Sequence, residues 1–262
     1  MTTKQPPLYC PSGDEQTVFR VSFNSKLPLM LTGPTGCGKT RLVEHMAAIL
    51  DRPLITVGCH DDLTSSDLLG RFLVKSGDVE WVDGPLTRAI REGAICYLDE
   101  VVEARRDTLA VLHSVTDYRR TLYLDRTGET IEAPDGFMLI CSYNPTSRSV
   151  LKELKPSFRQ RFVSLSMDYL PPDEEVVVIA SESGLDHQLA VRLVELGTAL
   201  RSTFHGGVQE PPSTRSLVTA AKLVMGGLAL KKAIHVAVIE PLVSGGALDV
   251  SMKEILDVAT PA

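Results

Sequence analysis

Long apolar runs are missing from this chain. No stretch reaches about 18 uninterrupted apolar residues, so no segment has the length of a bilayer-spanning helix. Cysteine is sparse and unpatterned. Cys10, Cys37, Cys59, Cys96 and Cys141 are odd in number and form no C-x-x-C pair, which argues against a disulfide framework or a zinc knuckle and fits a reducing cytosol. An excess of positive charge is absent too. The 27 Lys and Arg against 33 Asp and Glu leave a net charge of -6, so no global field draws the protein to nucleic acid or an anionic membrane. Aromatic residues make up only 5%, and no stripe of Arg or Lys interleaved with aromatics offers a stacking platform for single strands. Protein partners become the default expectation. Residues Met1 to Pro11 carry one lysine and no apolar centre, unlike a signal peptide, and a cytoplasmic location is expected.

Several catalytic signatures are also lacking. His45, His60, His113, His187, His205 and His235 form no H-E-x-x-H spacing, and no G-x-S-x-G elbow occurs. The Asn-Lys-x-Asp signature expected beside a GTPase loop is missing. His60, Asp61, Asp62 and Asp67 resemble a metal cluster superficially, but Asp61 to Asp67 read better as the cap and start of a short helix.

What is present is an ordinary globular composition, 44% hydrophobic and 23% charged over 262 residues, enough for one large domain or two unequal ones. Up to about Leu170, β-type runs (Leu27 to Thr32, Leu54 to Gly58, Ala94 to Leu98, Phe137 to Ser142, Phe162 to Ser166) alternate with helical patterns at Lys39 to Leu50, Pro85 to Glu92 and Arg106 to Thr116. Such alternation predicts an α/β fold with a parallel sheet and flanking helices. Phe72 to Val82 and Leu122 to Glu132 read instead as hairpin inserts, each around a glycine turn. After Leu170 the strand signals stop. Helices are expected at Asp173 to Glu182, Asp186 to Arg201, Ser213 to Met225, Leu228 to Val243 and Ser251 to Val258. The predicted domains are 1–170, an α/β nucleotide-binding core, and 171–262, an all-helical end piece.

Gly33-Pro34-Thr35-Gly36-Cys37-Gly38-Lys39-Thr40 satisfies G-x-x-x-x-G-K-[ST] between a strand and a helix, the context a phosphate-binding loop requires. Backbone N–H groups curl around phosphate oxygens, Lys39 supplies a cation for the β- and γ-phosphates, and the Thr40 hydroxyl can hold Mg²⁺. Hydrolysis needs more than this. Ile95 to Leu98 is an apolar strand ending in Asp99-Glu100, with Asp99 placed to hold the metal and Glu100 to polarise the attacking water. A second apolar strand ends at Asn144, whose amide can reach a γ-phosphate or its water. Arg159 and Arg161 precede a further strand and are candidates for a guanidinium finger, with the choice between them open. Arg215 opens a helix of the end piece and can sense phosphate there.

These pieces, in this order, resemble the AAA+ ATPases of the MoxR branch, over nearly the whole chain. The stretches Leu29 to Arg41 (LMLTGPTGCGKTR), Val43 to Met46, Cys59 to Leu63 and Pro156 to Phe162 are similar to the CbbQ/NorQ/GvpN subgroup. The resemblance implies an AAA+ core with two inserts and a helical lid, a homo-hexameric ring with ATP and Mg²⁺ at subunit interfaces, and an arginine finger from the neighbour. It assigns Asn144 as sensor 1 and Arg215 as sensor 2. The two hairpins would be the helix-2 and pre-sensor-1 inserts, with Trp81 and Tyr123 as exposed aromatics for a pore or partner. It implies a von Willebrand factor A-type (CbbO-like) adaptor. Inhibited rubisco, freed of tight-binding sugar phosphates, is the first expected client, and nitric oxide reductase the alternative. A nucleic-acid motor on the same scaffold is opposed by the acidic balance. A small-molecule kinase would have no use for Asn144, a trans-acting arginine and two hairpins together.

Overall fold

The structure, a computed structural model, describes residues 6–75, 77–145, 154–203 and 211–242. Two compact units divide them. The first takes in the chain to Thr32, Lys39–Pro145 and the segment up to Ser166; the second takes in Gly33–Gly38 and the chain from Met167 onward.

In the first unit, α1 (Glu15–Asn24), β1 (Leu29–Thr32), α2 (Lys39–Ile49), β2 (Leu54–Gly58) and α3 (Ser65–Leu69) lead to a hairpin of β3 (Gly70–Lys75) and β4 (Asp78–Asp83). Then follow α4 (Pro85–Glu92), β5 (Ile95–Asp99), α5 (Arg106–Leu109), a hairpin of β6 (Thr121–Leu124) and β7 (Glu129–Glu132), β8 (Met138–Tyr143), α6 (Pro156–Arg159) and β9 (Val163–Ser166). Strands β2, β5, β8, β1 and β9 form one sheet in that order, all parallel. Leu29, Met30 and Leu31 of β1, Ile95 to Leu98 of β5 and Leu139 to Cys141 of β8 are buried. That is why these strands read as continuous apolar runs: both faces of a parallel sheet are covered. Because the sheet is parallel and β5 and β8 are neighbours beside β1, the loops after all three open at one carboxyl edge.

Local chemistry explains most boundaries. Pro85 occupies the first turn of α4 and Gly93 ends it in a left-handed conformation. Within the stretch expected to cap a short helix, Thr64 caps α3: its hydroxyl accepts the Asp67 N–H, and the Asp67 carboxylate accepts the Thr64 N–H in return. Both hairpins form as the alternation predicts, and Arg91 of α4 ties them together, with Nε on Asp83 and Nη1 on Glu129, each at 2.8 Å.

Two expectations need correction, and one element was not anticipated. The segment Arg106 to Thr116 is not one helix: α5 stops at Leu109 and a single 3-10 turn spans Ala110–Leu112. The His113 N–H closes on the Ala110 carbonyl three residues back, the tighter bonding of a 3-10 turn. Trp81 is half-buried, its indole N–H donating to Asp83 and its ring edge-on to Phe72; Phe72, 46% exposed, is the outward aromatic of that hairpin. Tyr123 is 45% exposed, as expected. Helix α1 is the unanticipated element, because a β-branched and aromatic sequence, TVFRVSF, masks the helical burial of Phe19.

The second unit holds α7 (Pro172–Ser183), α8 (His187–Thr203), α9 (Thr214–Met225) and α10 (Leu230–Ile234), which continues through a π-helical turn His235–Ile239. Ile179, Leu193, Leu200, Leu217 and Ile239 are its fully buried centre. Beside them Glu175 is completely buried, gripped by both terminal nitrogens of Arg201 at 2.7 and 2.8 Å and by the Thr214 hydroxyl at 2.6 Å. The helix expected at Ser251 to Val258 lies outside the described residues.

Candidate nucleotide site

The loop after β1 turns through Gly36 at φ +72° and Gly38 at φ +103°, angles that side chains resist, before α2 begins at Lys39. Within the second unit a Cβ on Gly36 would stand 2.6 Å from Cβ of Ser213 and 3.4 Å from Cβ of Arg215. The Tyr169 hydroxyl donates to the Thr35 carbonyl at 3.2 Å. Lys39 is buried despite its charge, and its ammonium lies close enough to Glu100 to favour that residue's ionised form.

Asp99 ends β5 inside a knot of hydroxyls. Tyr97 and Ser142 both donate to its Oδ1, at 2.7 and 2.6 Å, and the Thr40 hydroxyl lies 3.3 Å from the Tyr97 oxygen. Glu100 follows in a left-handed conformation, φ +53°, uncommon for a residue with a side chain. Its backbone N–H donates to Ser142 Oγ at 3.3 Å, and its carboxylate accepts the backbone N–H of Asn144. Burial raises the Glu100 carboxyl above its usual range; Lys39 opposes that shift and Asp99 adds to it. Asn144 itself is buried. The Cys59 N–H donates to the Asp99 carbonyl, and burial with the charges of Asp99 and Glu100 pushes its thiol up to about 12.

Lys39, Thr40, Asp99, Glu100 and Asn144 thus meet at the carboxyl edge of β1, β5 and β8. The arginines differ from one another. Arg159, in the last turn of α6, is exposed. Arg161 turns into its own unit, where Nη1 donates to the His113 carbonyl at 3.2 Å and lies 3.8 Å from Asp117. Arg215 is exposed in the first turn of α9. Tyr97 and Ser142 were missed as site residues. The available signal was period-two spacing: Tyr97 precedes Asp99 by two and Ser142 precedes Asn144 by two, so each hydroxyl shares a strand face with a site residue.

A hydroxyl and a carboxylate joined through one phenol form a corner of hard oxygen donors, a set that suits a small divalent cation such as Mg²⁺. Among the described residues no helix is long and apolar enough to cross a membrane. A G-x-x-x-x-G-K-T sequence whose Lys-Thr pair lies beside a strand-end Asp-Glu pair on a parallel sheet defines a P-loop nucleoside triphosphatase.

Comparison with known proteins narrows the class. Residues 28–162 match the AAA domain (dynein-related subfamily), and residues 175–259 match the CbbQ/NirQ/NorQ C-terminal domain. The chain is 53% identical to protein NorQ of Paracoccus denitrificans over 95% of this chain and 92% of that protein. It is 51% identical to the denitrification regulatory protein NirQ of Pseudomonas aeruginosa over 96% of each, and 48% identical to protein CbbQ of Hydrogenophilus thermoluteolus over 90% of this chain and 88% of that one. A putative ATPase from Cytophaga hutchinsonii shares the fold at TM-score 0.53 and 17% identity, covering 95% of this chain and 89% of its own. Thermotoga maritima RuvB, in a mutant form, does so at TM-score 0.56 and 14% identity, covering 85% of this chain and 68% of its own. The chain belongs to the CbbQ/NirQ/NorQ family of AAA+ ATPases, and it is an ATP hydrolase.

Proposed function

We propose that the protein is the motor of a cytoplasmic homo-hexamer that uses ATP to remodel a protein client through a von Willebrand factor A-type adaptor. Residues 1–170 serve as the nucleotide-binding core and 171–262 as a helical lid. The observation that carries this reading is the convergence of Lys39, Thr40, Asp99, Glu100 and Asn144 at one sheet edge. In it the amides of Gly33 to Gly38 cradle the phosphates and Lys39 neutralises them. Thr40 and Asp99 hold Mg²⁺, which supplies charge neutralisation at the β- and γ-phosphates when bound. Glu100 orients and polarises the attacking water. The Asn144 side chain fixes that water or the γ-phosphate, while its backbone N–H steadies Glu100. Exposed Arg159 is the finger offered to the neighbouring subunit's nucleotide, whereas Arg161 braces its own α6 turn. Arg215, beside the phosphate loop at Gly36, reports on the γ-phosphate.

For the client, the order of identities, 53% and 51% to NorQ and NirQ against 48% to CbbQ, favours nitric oxide reductase over the rubisco expected first. The rubisco reading keeps the support of the CbbQ match over 90% of the chain. Affinity capture with Glu100→Gln loaded with ATP distinguishes them: a nitric oxide reductase subunit retained with an adaptor supports the first, and rubisco supports the second. Retention of neither client nor adaptor overturns both.

A further inference from the structure

We propose that Tyr97 is a positioning residue that sets the two cation ligands, Thr40 and Asp99, in register before nucleotide arrives, with Ser142 as its second clamp. The proposal rests on the assignment of Thr40 and Asp99 as the Mg²⁺ ligands.

Tyr97 is wholly buried in β5, between β2 and β8, so its hydroxyl must find partners inside the protein. All of them belong to the site. The phenol has one proton, and the shorter of its acceptor contacts is Asp99 Oδ1 at 2.7 Å, against 3.0 Å to Ser142 Oγ. Ser142 also directs its one proton to Asp99 Oδ1, at 2.6 Å, and receives the Glu100 N–H in turn. With the phenol proton committed to Asp99, Thr40 is the donor in its 3.3 Å contact with Tyr97. Each proton then has one destination, from Thr40 to Tyr97 to Asp99 on one side, and from Glu100 N–H to Ser142 to Asp99 on the other.

Two consequences follow for a cation. The Thr40 proton points at Tyr97, which leaves the threonine lone pairs to face elsewhere. Two donors on Oδ1 lock the Asp99 carboxyl plane, so its second oxygen is held in a single orientation. Such outer partners typically change metal affinity about 10–100-fold when removed.

The test is a Mg²⁺ titration of ATP binding, followed by a fluorescent nucleotide, on wild type, Tyr97→Phe, Ser142→Ala and Asp99→Asn, with ATP binding in EDTA and the unfolding midpoint measured alongside. Tyr97→Phe keeps the ring and deletes only the hydroxyl. We expect its half-saturating Mg²⁺ to rise about tenfold, with ATP affinity in EDTA unchanged and kcat recovering at high Mg²⁺. Ser142→Ala should shift in the same direction. An unchanged Mg²⁺ midpoint in Tyr97→Phe, with or without a lowered unfolding midpoint, overturns the positioning role, provided Asp99→Asn loses its Mg²⁺ response. If Asp99→Asn responds to Mg²⁺ like wild type, the ligand assignment itself falls.

Discussion

The Glu100 carboxylate accepts the backbone N–H of Asn144, which joins the residue that follows β5 to the residue that follows β8. The ends of β5 and β8 are therefore joined by a direct bond at the proposed site.

Replacement of Lys39 and Glu100 should separate binding from turnover. Lys39→Ala should abolish Mg-ATP binding in isothermal titration, since the buried lysine of the proposed phosphate loop is lost. Glu100→Gln should bind ATP with wild-type affinity and lose turnover by about a hundredfold or more, the range for a removed general base. Normal turnover by Glu100→Gln would disprove its role.

The raised Glu100 carboxyl also carries a pH signature. Because the folded state binds its proton more tightly than the unfolded chain does, ionised Glu100 costs stability at every pH above its unfolded value of 4.5, and the cost vanishes below it. Glu100→Gln should therefore unfold at a higher temperature than wild type at pH 8, and the gap should close as pH falls below 4.5. The acid limb of kcat should lie above 4.5 for the same reason. Calorimetry and a pH–rate profile check the two halves.

Arg159 and Arg161 should fail in different ways. Arg159→Ala should leave the unfolding midpoint in place and reduce ATPase by about a thousandfold, as removal of an arginine finger does. Arg161→Ala should lower the unfolding midpoint, because it removes the guanidinium that donates to the His113 carbonyl. Mixing Arg159→Ala with Glu100→Gln subunits should give non-additive ATPase rates, and strictly additive rates would exclude a shared site.

The buried pair in the helical unit should be hard to break from one side. Arg201→Ala leaves the Glu175 carboxylate fully buried with the Thr214 hydroxyl on it, and should destabilise that unit by about 3–5 kcal/mol in denaturant unfolding. Arg201 also lies over the Tyr169 ring at 4.0 Å, so the loss extends to the residue that holds the Thr35 carbonyl.

Cys59 should resist alkylation although it is partly exposed. A thiol at about 12 in place of 9.0 holds about a thousandth of the usual thiolate at pH 8, and thiolate is the nucleophile. Mass spectrometry after brief iodoacetamide treatment should find it unmodified, and Asp99→Asn should raise its rate.

Much of the architecture was legible because its signals are local. Strands β1, β5 and β8 announced themselves as short apolar runs, since a parallel sheet buries both faces. Helix α4 showed Pro85 at its first turn, and both hairpins showed glycine turns between alternating runs. Helix α1 was hidden because its β-branched and aromatic residues carry no helical preference, and burial of Phe19 decides it. The break after α5 lies in a switch to 3-10 bonding at Ala110–Leu112, which no residue spacing announces.

The sequence by itself determined which residue types the candidate site contains: a glycine loop ending in Lys-Thr, an acidic pair, an amide and two nearby arginines stand at fixed spacings, and spacing is a covalent property. Only the tertiary structure decided how those residues are held. Tyr97 and Ser142 lie on different strands, 45 residues apart, and look like stray hydroxyls in apolar runs until the sheet order places β5 beside β8. Arg159 and Arg161 are equivalent as text, and the inward turn of one toward His113 distinguishes them. The physical reason is the same in both cases: a hydrogen bond acts over about 3 Å, and the pairs it joins are set by the packing of distant segments.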